Sequence, residues 1–223
     1  KNKYGIDLIC FHYIPDDEAC VRRLLGIISI LVNDYHYLIL DLPSLLDRPI
    51  FSILNQSDLI HLLTGTDEVD LKRTRHLVER LRDEFGFQED KIKIIVNEYK
   101  LSKFTHDEQV GFLRQGIFAT LPKIDFESQD RLILEAPNCE YSKAVRRIAR
   151  VVGDCQVGLV LGVGVAYGFC HVGVLRVIEQ EKIPIDVIAG ASIGSIIAAL
   201  WAIGKTSDEI IEITSEFRES RSL

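Results

Sequence analysis

Residues 156–204 read QVGLVLGVGVAYGFCHVGVLRVIEQEKIPIDVIAGASIGSIIAALWAIG, and the order of features in this stretch decides the fold class. Leu159-Val160-Leu161 is a short apolar run of the buried-strand type that stops at Gly162. A glycine loop, Gly162 to Gly168, follows, and then a helical pattern from His171 to Glu181. Ile185 to Ala189 is rich in β-branched residues and reads as a second strand. It ends in Gly190-Ala191-Ser192-Ile193-Gly194, and an apolar helix is expected over Ile193 to Ile203. Strand, loop, helix, strand, turn, helix is the pattern of a parallel sheet covered by helices.

The turn is a G-x-S-x-G. Such a turn sets a serine on a sharp strand-to-helix bend with its hydroxyl exposed above the sheet. Gly190 and Gly194 suit a bend in which backbone segments approach closely. The alternative is a glycine turn that merely packs a buried helix on a sheet. Upstream, the Gly162–Gly168 loop opens a helix, where backbone N–H groups lack intrahelical partners. Such groups bind an anion, either a phosphate or the oxyanion of an acyl-transfer intermediate. The glycines at 162, 164 and 168 give G-x-G-x-x-x-G, one residue longer than the dinucleotide fingerprint. Asp186 could serve as that fingerprint's acidic residue, but the serine bend follows it at once, so the oxyanion reading is preferred.

GVGVAYGFCHVGVL followed by IPIDVIAGASIG resembles the patatin-like phospholipases. Their usual form is a Gly-Gly-Gly-x-Arg-Gly loop, a His-x-Gly-Val-Leu helix and a G-x-S-x-G. The resemblance implies a serine acyl hydrolase acting on lipid acyl esters through a Ser–Asp dyad. Ser192 would be the nucleophile, Gly190 and Gly194 would form its elbow, and backbone N–H groups of Gly162, Gly164 and Val165 would form the oxyanion hole. Such chemistry needs no metal and no organic cofactor. The sequence departs from the family at Val163 and Val165, which replace glycines, and at Tyr167, which replaces the arginine. The family's dyad aspartate lies in a downstream Asp-Gly-Gly or Asp-Gly-Ala, which these residues do not contain. The aspartate is therefore expected outside this chain, and the segment alone is expected to be inactive, since a serine without a base is a weak nucleophile. Asp208, Glu209, Glu212, Glu216 and Glu219 fall on a polar helix, Ser207 to Arg218, and read as a solvated face.

The 223 residues are 47% apolar and carry a net charge of −7, with no methionine. A first residue that is not methionine points to a segment of a longer polypeptide. No basic patch stands out, so nucleic acid is excluded as a partner, and electrostatic adsorption to anionic lipid has no footprint. Cys10, Cys20, Cys139, Cys155 and Cys170 show no ligand spacing and read as reduced thiols of a cytoplasmic protein. His61, His76 and His106 likewise share no metal-ligand spacing. No apolar run is long enough to span a bilayer. Peripheral membrane contact is left open by the lipid substrate.

The first two thirds also alternate between strand and helix patterns. Strands are expected over Ile6 to Phe11, His36 to Asp41, Asp58 to Thr64, Lys91 to Asn97 and Gly116 to Leu121. Helices are expected from Pro15 to Asn33, Asp67 to Phe85, His106 to Gln115 with Thr105 as N-cap, Ser128 to Leu134 and Ser142 to Val152. The stretches YHYLILDLPSLLD, SDLIHLLTGTDEVDLKRTRHLVERLRDEFG, KIKIIVNEY, IFATLPKID and EAPNCEYSKAVRRIAR resemble the C-terminal half of ParA/MinD-type ATPases, particularly the CpaE-like branch. That resemblance would place Asp41 in a Walker-B-like motif near Mg²⁺ and Asn97 near the adenine. No G-x-x-x-x-G-K-[ST] occurs, so no phosphate cradle and no nucleotide binding by this chain are expected.

The expected architecture is α/β throughout. Residues 1–152 form an ATPase-like domain without its Walker A loop, and residues 156–223 the N-terminal part of a patatin-like hydrolase domain. His171 reads as a packing or capping residue, and Trp201 as core. Two alternatives to the hydrolase remain. One is a catalytically inactive regulatory module that binds a protein partner through the ATPase-like part. The other is a nucleotide-switched hydrolase, which requires a Walker A loop before Lys1.

Overall fold

A computed structural model describes residues 5–10, 17–124 and 132–219, and the chain divides into two compact units, Lys1–Thr120 and Leu121–Leu223. In the first unit, helices α1 (Glu18–Asp34) and α2 (Arg48–Gln56) precede strand β1 (Ile60–Thr64). Helix α3 (Glu68–Glu79) continues through a π-helical turn, Arg80–Glu84, into β2 (Ile92–Asn97). Helix α4 (His106–Leu113) leads to β3 (Ile117–Leu121). The strands form one sheet in the order β1-β2-β3, with β1 and β2 parallel. Ile92, Ile94, Ile95 and Val96 are all buried, as the middle strand of a covered sheet requires. They join Leu71, Val78, Leu81 and Leu113 in the core of this unit. Each such side chain contributes about 2 kcal/mol on removal from water.

The expected N-cap at Thr105 is present as a full capping box. The Thr105 N–H donates to Glu108 Oε2 at 2.7 Å, and the Glu108 N–H donates to Thr105 Oγ1 at 3.3 Å. The Thr105 N–H holds the Glu108 carboxyl below its ordinary range. Thr105→Ala leaves an orphan donor at the start of α4 and is expected to destabilise this unit by about 1 kcal/mol, read from urea denaturation.

Two expected strands are absent. Ile6 to Cys10 is irregular, and Phe11 lies outside the described residues, as do Pro15 and Asp16. His36 to Asp41 is irregular as well. Leu38, with Leu42 just beyond the stretch, packs on Leu24 and Ile28 of α1 and Ile53 of α2, while Tyr37 and Leu40 are exposed. Ile39, between them, is 92% exposed. Helix α2 falls in a stretch with no sequence expectation. Its signal was Asp47, whose carboxylate caps the Ile50 N–H at 2.9 Å, followed by Pro49 in the first turn.

The second unit begins with α5 (Leu132–Glu135), the end of the helix expected over Ser128 to Leu134, whose earlier residues lie outside those described. Helix α6 (Glu140–Val152) and β4 (Gly158–Leu161) follow. A 3-10 turn, Val165–Phe169, opens α7 (Cys170–Gln180), and β5 (Val187–Gly190) runs into α8 (Ile193–Ala202) and α9 (Ser207–Glu219). β4 and β5 are parallel, from Gly158 opposite Val187 to Leu161 opposite Gly190. Leu161, Val172, Leu175, Ile197, Ala198 and Ile210 form the core, and Trp201 packs against it.

This unit includes α6, whereas the sequence pattern put the boundary after it, at Val152. The physical tie is Asp186, at the start of β5. Its carboxylate accepts from Arg150 Nε at 2.8 Å, Arg150 Nη2 at 2.6 Å and the Val157 N–H at 3.0 Å. The Asp186 side chain is 1% exposed and that of Arg150 22%.

Candidate active site

Parallel pairing brings the two glycine-bearing turns together. β4 and β5 end side by side, at Leu161 and Gly190. The chain leaves β4 into the Gly162–Gly168 loop and leaves β5 into the Ser192 bend, so both turns sit at the carboxyl ends of the strands, where open α/β sheets bind ligands. The Ala191 N–H donates to Leu161 O at 2.9 Å and carries the pairing one residue further.

Ser192 has φ 54° and ψ −127°, a backbone conformation that L-residues adopt only under constraint. The constraint is local. The Gly194 N–H donates to Ala191 O at 3.0 Å. Ser192 O accepts from the Ser195 N–H at 2.9 Å and from Ser195 Oγ at 2.6 Å. Ser192 stands at the N-cap of α8 but makes no side-chain cap, and it is exposed. Its hydroxyl is therefore not consumed by the helix it begins.

Both motif glycines are explained by close approach. A Cβ on Gly194 would lie 2.6 Å from Gly162 O and nearer still to Leu161 O. A Cβ on Gly190 would lie 2.5 Å from Gly194 C and 2.7 Å from Ser195 Cα. In the loop, a Cβ on Gly164 would lie 2.8 Å from Gly168 N. Gly162 faces open space and has no such requirement. Val165 has φ 46°, a true outlier for a β-branched residue, and is 83% exposed. The 3-10 turn is closed by the Tyr167 N–H on Gly164 O at 2.8 Å. His171, at the start of α7, reaches back to the loop, with Nε2 2.9 Å from Gly162 O.

The acidic residues after Ser192 are engaged elsewhere. Asp208 pairs with Arg176 of α7. Glu209 pairs with Lys205 at 2.8 Å and accepts the Thr206 N–H at 2.8 Å. The Lys205 ammonium, then the Thr206 N–H, pull its carboxyl down to about 2. Glu212 is exposed, and the side chains of Glu216 and Glu219 lie outside those described. Asp186, the candidate fingerprint acid, is held below its ordinary carboxylate range by Arg150. None of the described carboxylates hydrogen-bonds Ser192 or His171.

In the first unit, Asn97 ends β2 and is half-buried, while Asp41 is exposed in the irregular segment after α1. The expected setting of Asp41 at a strand end is therefore corrected: no strand forms there. Among the described residues, no group of three or more His, Cys, Asp and Glu side chains is arranged to hold a metal, and the five cysteines are free. No helix among them is long and apolar enough to cross a membrane.

An exposed serine thus stands on a strained strand-to-helix bend, with a glycine loop at its side. Residues 159–223 match the family model described as patatin-like phospholipase. A patatin-like phospholipase domain-containing protein of Caenorhabditis elegans is 48% identical over 65 residues, which are 29% of this chain and 5% of that protein. The lysophospholipase NTE1 of Eremothecium gossypii is 36% identical over 46% of this chain and 7% of its own length. The neuropathy target esterase sws of Drosophila persimilis is 38% identical over 40% and 6%. The chain thus spans less than a tenth of the curated relatives it matches. Among solved structures, a ParA family ATPase from Chlorobium tepidum TLS superposes with a TM-score of 0.52 at 23% identity, over 60% of this chain and 61% of that one. This is a likeness of fold, and it agrees with the α/β architecture read from the sequence.

Proposed function

We propose that residues 156–223 carry the nucleophile and oxyanion loop of a serine acyl hydrolase acting on lipid acyl esters. The observation that carries this reading is Ser192, held at φ 54° and ψ −127° with its hydroxyl exposed and free of capping duty. The match of residues 159–223 to the patatin-like phospholipases and the lysophospholipase and esterase names of the relatives support the lipid ester as substrate. In the reaction, Ser192 Oγ adds to the acyl carbonyl and its proton passes to a carboxylate. Backbone N–H groups of Gly164 and Val165, with Gly162, receive the negative charge that develops on the carbonyl oxygen. The alcohol or lysolipid leaves with the proton, and water then releases the fatty acid from Ser192. The carboxylate is assigned to an aspartate outside these 223 residues. The protein works in the cytoplasm, touching the membrane peripherally to reach its substrate.

A fluorophosphonate probe tests this on the full-length protein, with the modified peptide located by mass spectrometry. Labelling at Ser192, lost in Ser192→Ala and absent from the 223-residue chain alone, is the expected result. A folded full-length protein that takes up no probe at Ser192 would sink the hydrolase.

One observation favours a second reading. Val165 occupies the left-handed region, which a β-branched residue adopts only at a cost of about 1–3 kcal/mol. A loop that has exchanged its glycines for valines suits an inactive domain that regulates or scaffolds, with the ATPase-like unit binding a protein partner. The same absence of labelling is the result this reading expects.

A further inference from the structure

The Gly162 peptide is held on two sides. His171 Nε2 lies 2.9 Å from Gly162 O, and the backbone of Gly194, in the elbow, approaches the same oxygen so closely that a Cβ there would sit 2.6 Å away. A carbonyl oxygen can only accept, so Nε2 carries the proton and donates it. That polarity removes Nε2 from use as a proton acceptor in this arrangement. The preceding carbonyl, Leu161 O, accepts the Ala191 N–H at 2.9 Å. The last carbonyl of β4 and the first of the loop are thus tied separately, one to the turn before Ser192 and one to α7.

Peptide planarity carries the tie into the loop. In a trans peptide the carbonyl and the following N–H point in opposite directions across a rigid plane, and the described residues contain no cis bond. Fixing Gly162 O on His171 therefore fixes the direction of the Val163 N–H and the plane from which Gly164 and Val165 continue. The strained Val165, at φ 46°, persists only if the backbone leading into it is over-determined.

We propose that His171 is a positioning residue for the oxyanion loop, acting through the Gly162 carbonyl and not on the substrate. This rests on the reading of Ser192 as nucleophile. The required group is an N–H at the Nε2 position, which a glutamine side chain supplies and an asparagine, one methylene shorter, does not.

The test compares His171→Gln and His171→Asn in the full-length protein. Two readouts are used: the rate of fluorophosphonate labelling at Ser192, and hydrogen–deuterium exchange of the peptide spanning residues 159–169. His171→Asn is expected to slow the bond-forming step about a hundredfold while leaving probe affinity unchanged, as a misplaced donor does. Loop amides should exchange faster in the same variant. His171→Gln should restore both. Equal labelling and equal loop exchange in the two variants would overturn the proposal. If the wild-type protein takes no probe at all, the hydrolase reading fails and exchange alone decides the role of His171. Faster loop exchange in His171→Asn than in His171→Gln then sustains the clamp, and equal exchange removes it.

Discussion

Gly194→Ala is expected to destabilise the second unit by about 3 kcal/mol or more, at the upper end of what an added methyl group does in a packed interior. The added Cβ would meet Leu161 O, Gly162 O at 2.6 Å and Leu161 C at 2.7 Å. All three are backbone atoms, so no side chain can rotate away. Relief requires α8 to move off the end of β4, which separates the elbow from the loop and strips Ile197 and Ala198 from the core. Gly173→Ala is the control. A Cβ there has nothing within 4 Å, and Gly173 lies inside α7. It should be neutral, or stabilise by about 0.5–1 kcal/mol through helix propensity. Trp201 is the single tryptophan of the chain and packs in this unit, so its fluorescence during urea denaturation reads both variants without interference from the first unit. Equal midpoints for the two variants would show that the elbow does not rest on β4.

Asp186→Asn is the second large effect. It removes the charge that Arg150 meets through two nitrogens and leaves the largely covered guanidinium without that counter-ion. Breaking a fully buried pair costs about 3–5 kcal/mol. Arg150 retains 22% exposure, so water recovers part of that, and about 2 kcal/mol is expected. The pair also makes the unit acid-sensitive. Arg150 lowers the folded-state pKa of Asp186 below its ordinary 3.8. The pair's contribution is complete above the unfolded value, about 3.9. It is lost as pH falls through the lower folded value. Glu209 acts in the same direction at the start of α9, with its contribution complete above its ordinary 4.5 and lost as pH falls through about 2. Wild-type stability, followed at Trp201, should fall between pH 4 and pH 2, and Asp186→Asn should flatten part of that slope. A slope unchanged by the substitution would remove Asp186 as its source.

The sharp turn at Ser192 and its flanking strands were legible because glycine spacing is a local signal with a local cause. Gly190 lies under the backbone of Gly194 and Ser195 in the first turn of α8, and Gly194 lies against the carbonyls of Leu161 and Gly162, so both positions of the G-x-S-x-G lack room for a Cβ. Strand β2 was legible for a similar reason, since a central strand is buried on both faces and so reads as IKIIV. His36 to Asp41 has an equally apolar pattern and forms no strand; Leu38 finds its partners on two helices, and Leu40 is exposed. Apolar spacing alone does not say whether the partner is a ladder or a helix face. The Arg150–Asp186 pair was illegible because its members are 36 residues apart and neither carries a motif. The role of His171 was hidden because its partner is a backbone carbonyl, which leaves no trace in residue identity. The helix expected from Ser207 begins there, and the T-x-x-E of Thr206 to Glu209 closes a capping box at its start.

The reach of Arg150 has a consequence for how such a segment can travel between genes. The stretch that matches the family model starts at residue 159, but the cation that satisfies its buried carboxylate sits on the preceding helix. An exon cut at the first recognisable strand and spliced behind a foreign neighbour would arrive with Asp186 buried and unneutralised at the start of β5. Inheritance of this fold in working order therefore favours breakpoints upstream of Glu140, and a new amino-terminal neighbour must either keep that helix or bring an arginine of its own to the same place.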